Sequence, residues 1–203
     1  MPNLREQLQQ CFQGRVCLIG LGNLGYGDDG FGVRLAEELK SETRNPKAER
    51  NPKAEARIEA PGSSYSDFGF RSHVIIAGTT PERFISRVAD AGFDHIIFLD
   101  AVEFGGAPGS AVFLDSKEVA ARFPQVSTHK ISLALLGLWA ESNGTTRAWL
   151  LGVQPESLNA GQPLTTTMQE TLEALRELLR GVASSQQQVE PPAPMPMAEA
   201  SVR

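Results

Sequence analysis

Short apolar runs alternate with amphipathic stretches along most of this 203-residue chain. The apolar runs are typical of strands buried on both faces, since they lack the polar alternation of a half-exposed strand. The pattern predicts strands over 16–20, 73–78, 94–100, 110–115 and 147–153, and helices over 3–12, 31–40, 81–92, 131–142 and 165–182. The strand at 110–115 is expected to be a hairpin strand at the sheet edge. Because strand and helix alternate, we predict an α/β three-layer sandwich: a mainly parallel twisted sheet with helices on both faces.

Three of these helices have apolar residues at helical spacing, so each is expected to bury one face. The third predicted helix begins near Pro81, a residue favoured in the first turn. The expected core-facing residues are Phe31, Leu35 and Leu39 in 31–40, Phe84, Val88 and Ala91 in 81–92, and Met168, Leu172, Leu175, Leu179 and Val182 in 165–182.

Two segments differ from this pattern. Residues 45–50 and 51–56 form a tandem duplication, NPKAER and NPKAEA, within a polar stretch at 41–62 that we interpret as a solvated insertion. Residues 184–203 are rich in Pro and Gln and are expected to be disordered. The prediction is therefore a single domain over 1–183 followed by a tail at 184–203.

Composition narrows the class of protein. A formal net charge of −5 argues against non-specific binding to nucleic acid. The sequence contains no apolar run long enough to span a membrane, and its first ten residues are polar, unlike a secretory signal. The two cysteines, Cys11 and Cys17, form no C-x-x-C pair. A reducing cytoplasm is therefore the expected location.

Three polar residues are predicted to meet at one edge of the sheet. Asp29 follows the first strand, Asp100 closes the third, and His129 precedes the apolar helix at 131–142. In open α/β sheets, ligands bind beyond the carboxyl ends of the strands. His73 and His95 begin strands and are expected at the opposite end. One imidazole with two carboxylates suits a divalent first-row metal.

Structural explanations compete with this interpretation. Asp28 or Asp29 could cap the helix that starts near Gly30 and offset its dipole. A carboxylate at Asp100, after an apolar run, is costly unless it has a partner or a task. His129 alone would more often be a surface or capping residue, and only its convergence with the two acids favours a ligand role.

The glycines at 20, 22 and 25 match G-x-G-x-x-G, so a dinucleotide-binding oxidoreductase is an alternative. That fingerprint expects an acidic residue about 20 positions further on, at the end of a strand; here that distance falls in the polar insertion. Asp28 and Asp29 would also lie beside a bound pyrophosphate. At ~5 Å and an effective dielectric of 20, each such pair costs roughly 3 kcal/mol before screening. The loop therefore favours a cation, with its glycines allowing a sharp turn.

Four motifs resemble the maturation endopeptidases of NiFe hydrogenases: GLGNLGYGDDGFGVRLAEEL (20–39), FLDAV (98–102), STHKISL (127–133) and LGVQPESL (151–158). The first, G-x-G-N-x-x-x-x-D-D/E-G-x-G, is the most specific. The four occur in the same order as in that family. The THKISL and GVQP forms are closer to the branch that serves formate-linked hydrogenases.

The resemblance implies that the chain clips a C-terminal extension from the precursor of a hydrogenase large subunit after nickel insertion. It also implies that Asp29, Asp100 and His129 are both the catalytic and the metal-contacting residues, and that the precursor supplies the nickel. Asp stands at position 29 where some relatives have Glu, which shortens the reach by about one bond. The resemblance implies an aspartyl-type peptidase. We expect it to act as a monomer, and its composition predicts no nucleic-acid or membrane partner.

The local chemistry permits hydrolysis without identifying the base. Sequence signatures of the common protease classes are absent, and Cys17 lies inside a predicted strand. We expect a water, polarised by the metal or deprotonated by one carboxylate, to attack the scissile carbonyl. Asp28 is a second-rank candidate, and the Asn23 side chain is expected to hold the shape of the loop. A non-catalytic nickel-sensing chaperone remains a further alternative.

Overall fold

The computed structural model describes residues 3–42, 66–67, 72–123 and 131–185. Within these ranges the strands are β1 (Val16–Leu21), β2 (Ser66–Asp67), β3 (Ser72–Gly78), β4 (His95–Ala101), β5 (Ala111–Asp115) and β6 (Arg147–Val153). The helices are α1 (Leu4–Cys11), α2 (Phe31–Glu42), α3 (Glu82–Asp90), α4 (Ser116–Arg122), α5 (Leu133–Ala140) and α6 (Thr166–Ser185). A 3₁₀ turn at Gly27–Gly30 leads directly into α2.

The strands form one sheet in the order β2-β3-β1-β4-β6-β5. The four central strands are parallel, whereas β2 and β5 pair antiparallel at the two edges. The predicted edge strand at 110–115 is confirmed as β5, but it is not a hairpin strand. It pairs with β6 rather than with β4, which precedes it in the chain.

Helices cover both faces of the sheet, which confirms the predicted α/β three-layer class. One apolar cluster joins the sheet to α1, α2 and α6, and a second joins the other face to α3, α4 and α5. Strand residues alternate between the clusters: Leu99 belongs to the first and Phe98 to the second. This alternation is what buries both faces of β1 and β4.

Most predicted helix faces are confirmed. All the residues predicted to face the core in α2 and α6 are buried. In α3 the prediction was partly wrong: Val88 is buried, but Ile85 and Ala89 complete the face, while Ala91 is exposed. Since α3 ends at Asp90, Ala91 lies beyond the helical repeat that would have turned it inward.

Two short helices owe their starts to side-chain caps. Asn3 and Glu6 form a reciprocal capping box at the start of α1, and Asp115 and Glu118 do so at the start of α4. Such boxes satisfy backbone N–H groups that have no partner inside the helix. The sequence pattern did not predict α4, because seven residues are too few to show a helical period.

The polar insertion and the tail lie mostly outside the described ranges, so those two predictions stay predictions. Helix α6 continues to Ser185, two residues past the predicted boundary at 183. Of the helices in the described ranges, none has the length and apolarity needed to cross a membrane.

Burial raises the pKa of the Cys17 thiol and raises that of Cys11 to about 12. Neither cysteine is therefore suited to act as a nucleophile.

His73 and His95 lie at the amino ends of the parallel strands, as predicted. His73 pairs with Cys17, and His95 pairs with Val16. The Trp149 indole N–H donates to Nδ1 of His95 at 3.0 Å. Burial lowers the pKa of His95, although the nearby Asp94 carboxylate opposes the shift.

Acidification is therefore expected to weaken the fold at His95. A histidine whose folded-state pKa is lowered contributes stability above its ordinary pKa, and this contribution is lost as the pH falls through the folded-state pKa. Between pH 7.5 and pH 5, the melting temperature of the parent should drop by a few degrees more than that of His95→Gln, which keeps an acceptor for Trp149. Equal drops would show that His95 does not contribute.

Candidate functional site

The predicted carboxyl edge is formed by β1 and β4, which are adjacent and parallel with Gly20 opposite Leu99. Asp100 is the next residue on β4, and the chain after β1 returns through the 3₁₀ turn that carries Asp28 and Asp29. The 3₁₀ turn packs against β4. The structure thus brings the turn and Asp100 to one edge of the sheet, as predicted.

Glycines allow this turn to lie directly on the strand ends. Gly22 has a φ of +120°, and a Cβ on it would lie 1.8 Å from the backbone O of Asp29. A Cβ on Gly32 would lie 1.9 Å from the backbone O of Leu99. Side chains at either position would push the turn or α2 off the sheet. The glycines therefore serve close backbone packing.

Asp29 has one oxygen bonded and one without a hydrogen-bond partner. Its side chain is only 4 % exposed. Oδ2 accepts from the Asn23 N–H at 2.8 Å, whereas Oδ1 is buried and has no partner among the described residues. A buried carboxylate oxygen left in this state costs free energy, and such a group requires an explanation. A cation would satisfy this oxygen, as would a hydrogen-bond donor.

Asn23 shapes the same turn. Its side-chain Oδ1 accepts from the Gly25 N–H at 2.9 Å, which confirms the predicted structural role. The Asn23 N–H is thereby directed at Asp29 while its side chain closes the turn.

Asp28 has a different environment from its neighbour. It is fully buried, and Oδ2 accepts from the N–H groups of Glu156 and Ser157 at 2.9 and 2.8 Å. The Thr165 hydroxyl also donates to Oδ2 and the Thr165 N–H to Oδ1, at 3.1 and 2.8 Å. Both oxygens are thus engaged by the segment that links β6 to α6. The Asp28 side chain does not cap its own helix, so that alternative was wrong. Its place as a second-rank candidate stays a prediction, which the donors to both of its oxygens disfavour.

Asp100 is 2 % exposed, and its Oδ1 accepts from the Ala101 N–H at 2.9 Å. It lies two residues after Phe98, so strand alternation places it on the face covered by α3, α4 and α5. The described chain resumes at Ile131, which packs against the apolar cluster of that same face.

His129 lies outside the described residues, so its predicted convergence with Asp29 and Asp100 stays a prediction. Within the described ranges, no three His, Cys, Asp or Glu side chains are grouped so that they could hold a metal ion. A three-ligand set at this edge would therefore need a residue from the rest of the chain.

The structural role of Gln154 was not predicted, although Gln154 lies in one of the four motifs. The buried Gln154 side chain accepts at Oε1 from the N–H groups of Phe104, Gly105 and Gly106, at 2.9, 2.9 and 3.1 Å. It thereby fixes the loop that follows Asp100. The available signal was a polar residue next to the end of a buried apolar run, as at Asp100.

The geometry does not favour a dinucleotide. The backbone N–H groups that would hold a pyrophosphate precede a helix whose entry contains two buried carboxylates. One of these, Asp29, has a buried oxygen that accepts no hydrogen bond from the described residues. The electrostatics of the turn thus favour a cation and oppose an anion.

Comparisons with known proteins agree with the motifs. A family model described as hydrogenase maturation protease matches residues 58–181. The hydrogenase 2 maturation protease of Escherichia coli K12 is 30 % identical over 176 residues, which cover 84 % of this chain and 92 % of that protein.

Solved structures give the same result. The NiFe hydrogenase maturation protease HycI from Thermococcus kodakarensis KOD1 has a TM-score of 0.67 at 26 % identity, covering 88 % of this chain and 99 % of that one. The hydrogenase maturating endopeptidase HybD from E. coli has a TM-score of 0.59 at 26 % identity, covering 85 % and 92 %.

Proposed function

The chain belongs to the hydrogenase maturation protease family, and from this premise we propose that it removes a C-terminal extension from the precursor of a NiFe hydrogenase large subunit after nickel insertion. The observation that carries the proposal is the buried, unpartnered Oδ1 of Asp29 at the carboxyl edge of the sheet. A protease that recognises a metal in its substrate needs a ligand atom that has no other partner before the substrate binds.

The nickel is part of the substrate in this proposal. Asp29 supplies Oδ1, Asp100 a second carboxylate and His129 an imidazole nitrogen, a mixed set that suits nickel. Contact with these groups orients the precursor so that the scissile peptide lies at the carboxyl edge. The enzyme then needs no resident catalytic metal, and precursor without nickel is not cut.

Hydrolysis requires a water, a base and a proton for the leaving amine. In the proposal, a carboxylate of Asp29 or Asp100 takes a proton from a water molecule. The oxygen of that water bonds to the scissile carbonyl carbon at the same time. The C–N bond then breaks, and the proton passes to the amine. This makes the protein an aspartyl-type peptidase. Asp28 is not the base in this scheme, because donors engage both of its oxygens.

Intact mass measurement tests this function. The full chain is mixed with a large-subunit precursor in nickel-loaded and nickel-free forms. The loaded precursor should lose the mass of a C-terminal peptide, and the nickel-free precursor should keep its full mass. Cleavage of both forms, or of neither, would contradict the proposal.

Substitutions of the other two proposed ligands, Asp100 and His129, extend the test. Asp100→Asn and His129→Ala are each expected to slow cleavage of the loaded precursor by at least about a hundredfold. His73→Ala, at the opposite end of the sheet, is the matched control and should cut at the parental rate. Nickel-dependent binding of the precursor without any mass loss would favour a chaperone. Saturable NAD(H) binding by the parent would favour an oxidoreductase.

We propose the cytoplasm as the location and a monomer as the active form. An acidic chain whose two cysteines are buried and free agrees with a reducing compartment.

A further inference from the structure

Exposed large apolar side chains form two groups among the described residues. Leu24, Tyr26 and Leu158 lie on loops at the carboxyl edge of the sheet, and we name them the loop face. Leu135, Leu138 and Trp139 lie on one side of α5, and we name them the helix face. Clustered exposed apolar side chains are typical of interaction surfaces.

The two loops that form the loop face are held together by their backbones. The Gly161 N–H donates to the Gly25 carbonyl at 2.8 Å, and the Asp28 N–H donates to the Ser157 carbonyl at 2.9 Å. The Asp28 carboxylate adds four hydrogen bonds from the second loop and the start of α6. The loop face is therefore already ordered before anything binds, which lowers the entropic cost of binding.

The loop face is continuous with the candidate site. Leu24 and Tyr26 lie between Asn23 and Asp29 in a single turn, and the Asp29 N–H donates to the Tyr26 carbonyl at 3.1 Å. The Asn23 N–H binds the Asp29 carboxylate from the other end of that turn. Two exposed apolar side chains therefore lie on the same turn as Asp29. Among the described residues, no hydrogen bond joins the helix face to the turn that carries Asp29.

We propose that the loop face binds an apolar stretch of the precursor beside the bond that is cut. The inference rests on the proposed function and adds the chemistry by which this site recognises protein rather than metal. The loop face contains no carboxylate and no imidazole. The face therefore contributes to binding and leaves the chemical step to the carboxylates.

Steady-state kinetics with nickel-loaded precursor tests the loop face. Leu24→Ser and Leu158→Ser should each raise KM by roughly fivefold to tenfold while kcat stays within about twofold of the parent. Because both side chains are exposed, the melting temperature should stay unchanged.

Leu138→Ser is the matched control, since it makes the same change on the helix face at a more exposed position, 61 % against 44 % for Leu24. It should leave KM unchanged. A parental KM in both loop-face variants, a raised KM in Leu138→Ser alone, or a loss of kcat at constant KM would each overturn the inference.

Failure of the proposed function is distinguishable from failure of this inference. If the parent does not cut the loaded precursor, the proposed function is wrong. Calorimetric titration of the same precursor then tests the loop face by itself, with Kd in place of KM. A Kd that is raised by the loop-face substitutions and unaffected by Leu138→Ser supports the inference, and equal Kd values overturn it.

Discussion

Replacement of Asp29 by Asn is expected to slow cleavage of nickel-loaded precursor by at least about a hundredfold while leaving the enzyme as stable as the parent or more stable. The amide oxygen can still accept from the Asn23 N–H, so the turn is retained. The amide nitrogen replaces Oδ1, the buried oxygen without a hydrogen-bond partner, and removes a charge that costs free energy in the isolated enzyme. Intact mass over time gives the rate, and thermal denaturation gives the stability.

The opposite pattern would contradict this account of Asp29. If Asp29→Asn lowers the melting temperature strongly, the carboxylate has a structural partner. If the variant cuts at the parental rate, Asp29 is not needed for recognition or chemistry. Asn23→Ala is a control for changes in the shape of the turn. It removes the side-chain hydrogen bond to the Gly25 N–H and keeps the backbone N–H that donates to Asp29.

Replacement of the neighbouring Asp28 by Asn is expected to have the reverse effect on stability. A single buried carboxylate there accepts three backbone N–H groups and one hydroxyl. An amide cannot accept at both positions, so at least one donor would face an NH2 group. We expect a loss of about 3 kcal/mol in the free energy of unfolding and a melting temperature lower by about 10 °C.

Denaturant unfolding and calorimetry measure this loss. Thr165→Ser is the matched control, because it keeps both the hydroxyl and the N–H that donate to Asp28. Its free energy of unfolding should stay within about 0.5 kcal/mol of the parent. An Asp28→Asn variant as stable as Thr165→Ser would show that these hydrogen bonds do not hold the two segments together.

The hydrophobic pattern predicted the fold class and most of the strands, because a strand that is buried on both faces has a continuous apolar run in its sequence. β6 was predicted at its observed bounds, and β1 and β4 within one residue at each end. The partner of β5 could not be predicted in this way, since pairing depends on contacts far apart in sequence. β2 has only two residues, too few to show a pattern of apolar and polar positions.

The positions of Asp29 and Asp100 at the carboxyl edge of the sheet were predicted, whereas the roles of both residues and of His129 stay predictions. The rule that ligands lie beyond the carboxyl ends of parallel strands identified Asp29 and Asp100. It could not separate Asp28 from Asp29, which are adjacent and chemically identical. Only the β6–α6 segment, more than 120 residues away, decides which of the two is satisfied by hydrogen bonds.

Anomalous diffraction at the nickel edge from crystals of the enzyme exposed to Ni²⁺ tests the central claim most directly. The account predicts a peak at the carboxyl edge of the sheet, within about 2.1 Å of Asp29 Oδ1, an Asp100 oxygen and a His129 nitrogen, as for other first-row ions. A peak confined to His73 or His95, or density that places His129 away from both aspartates, would contradict it.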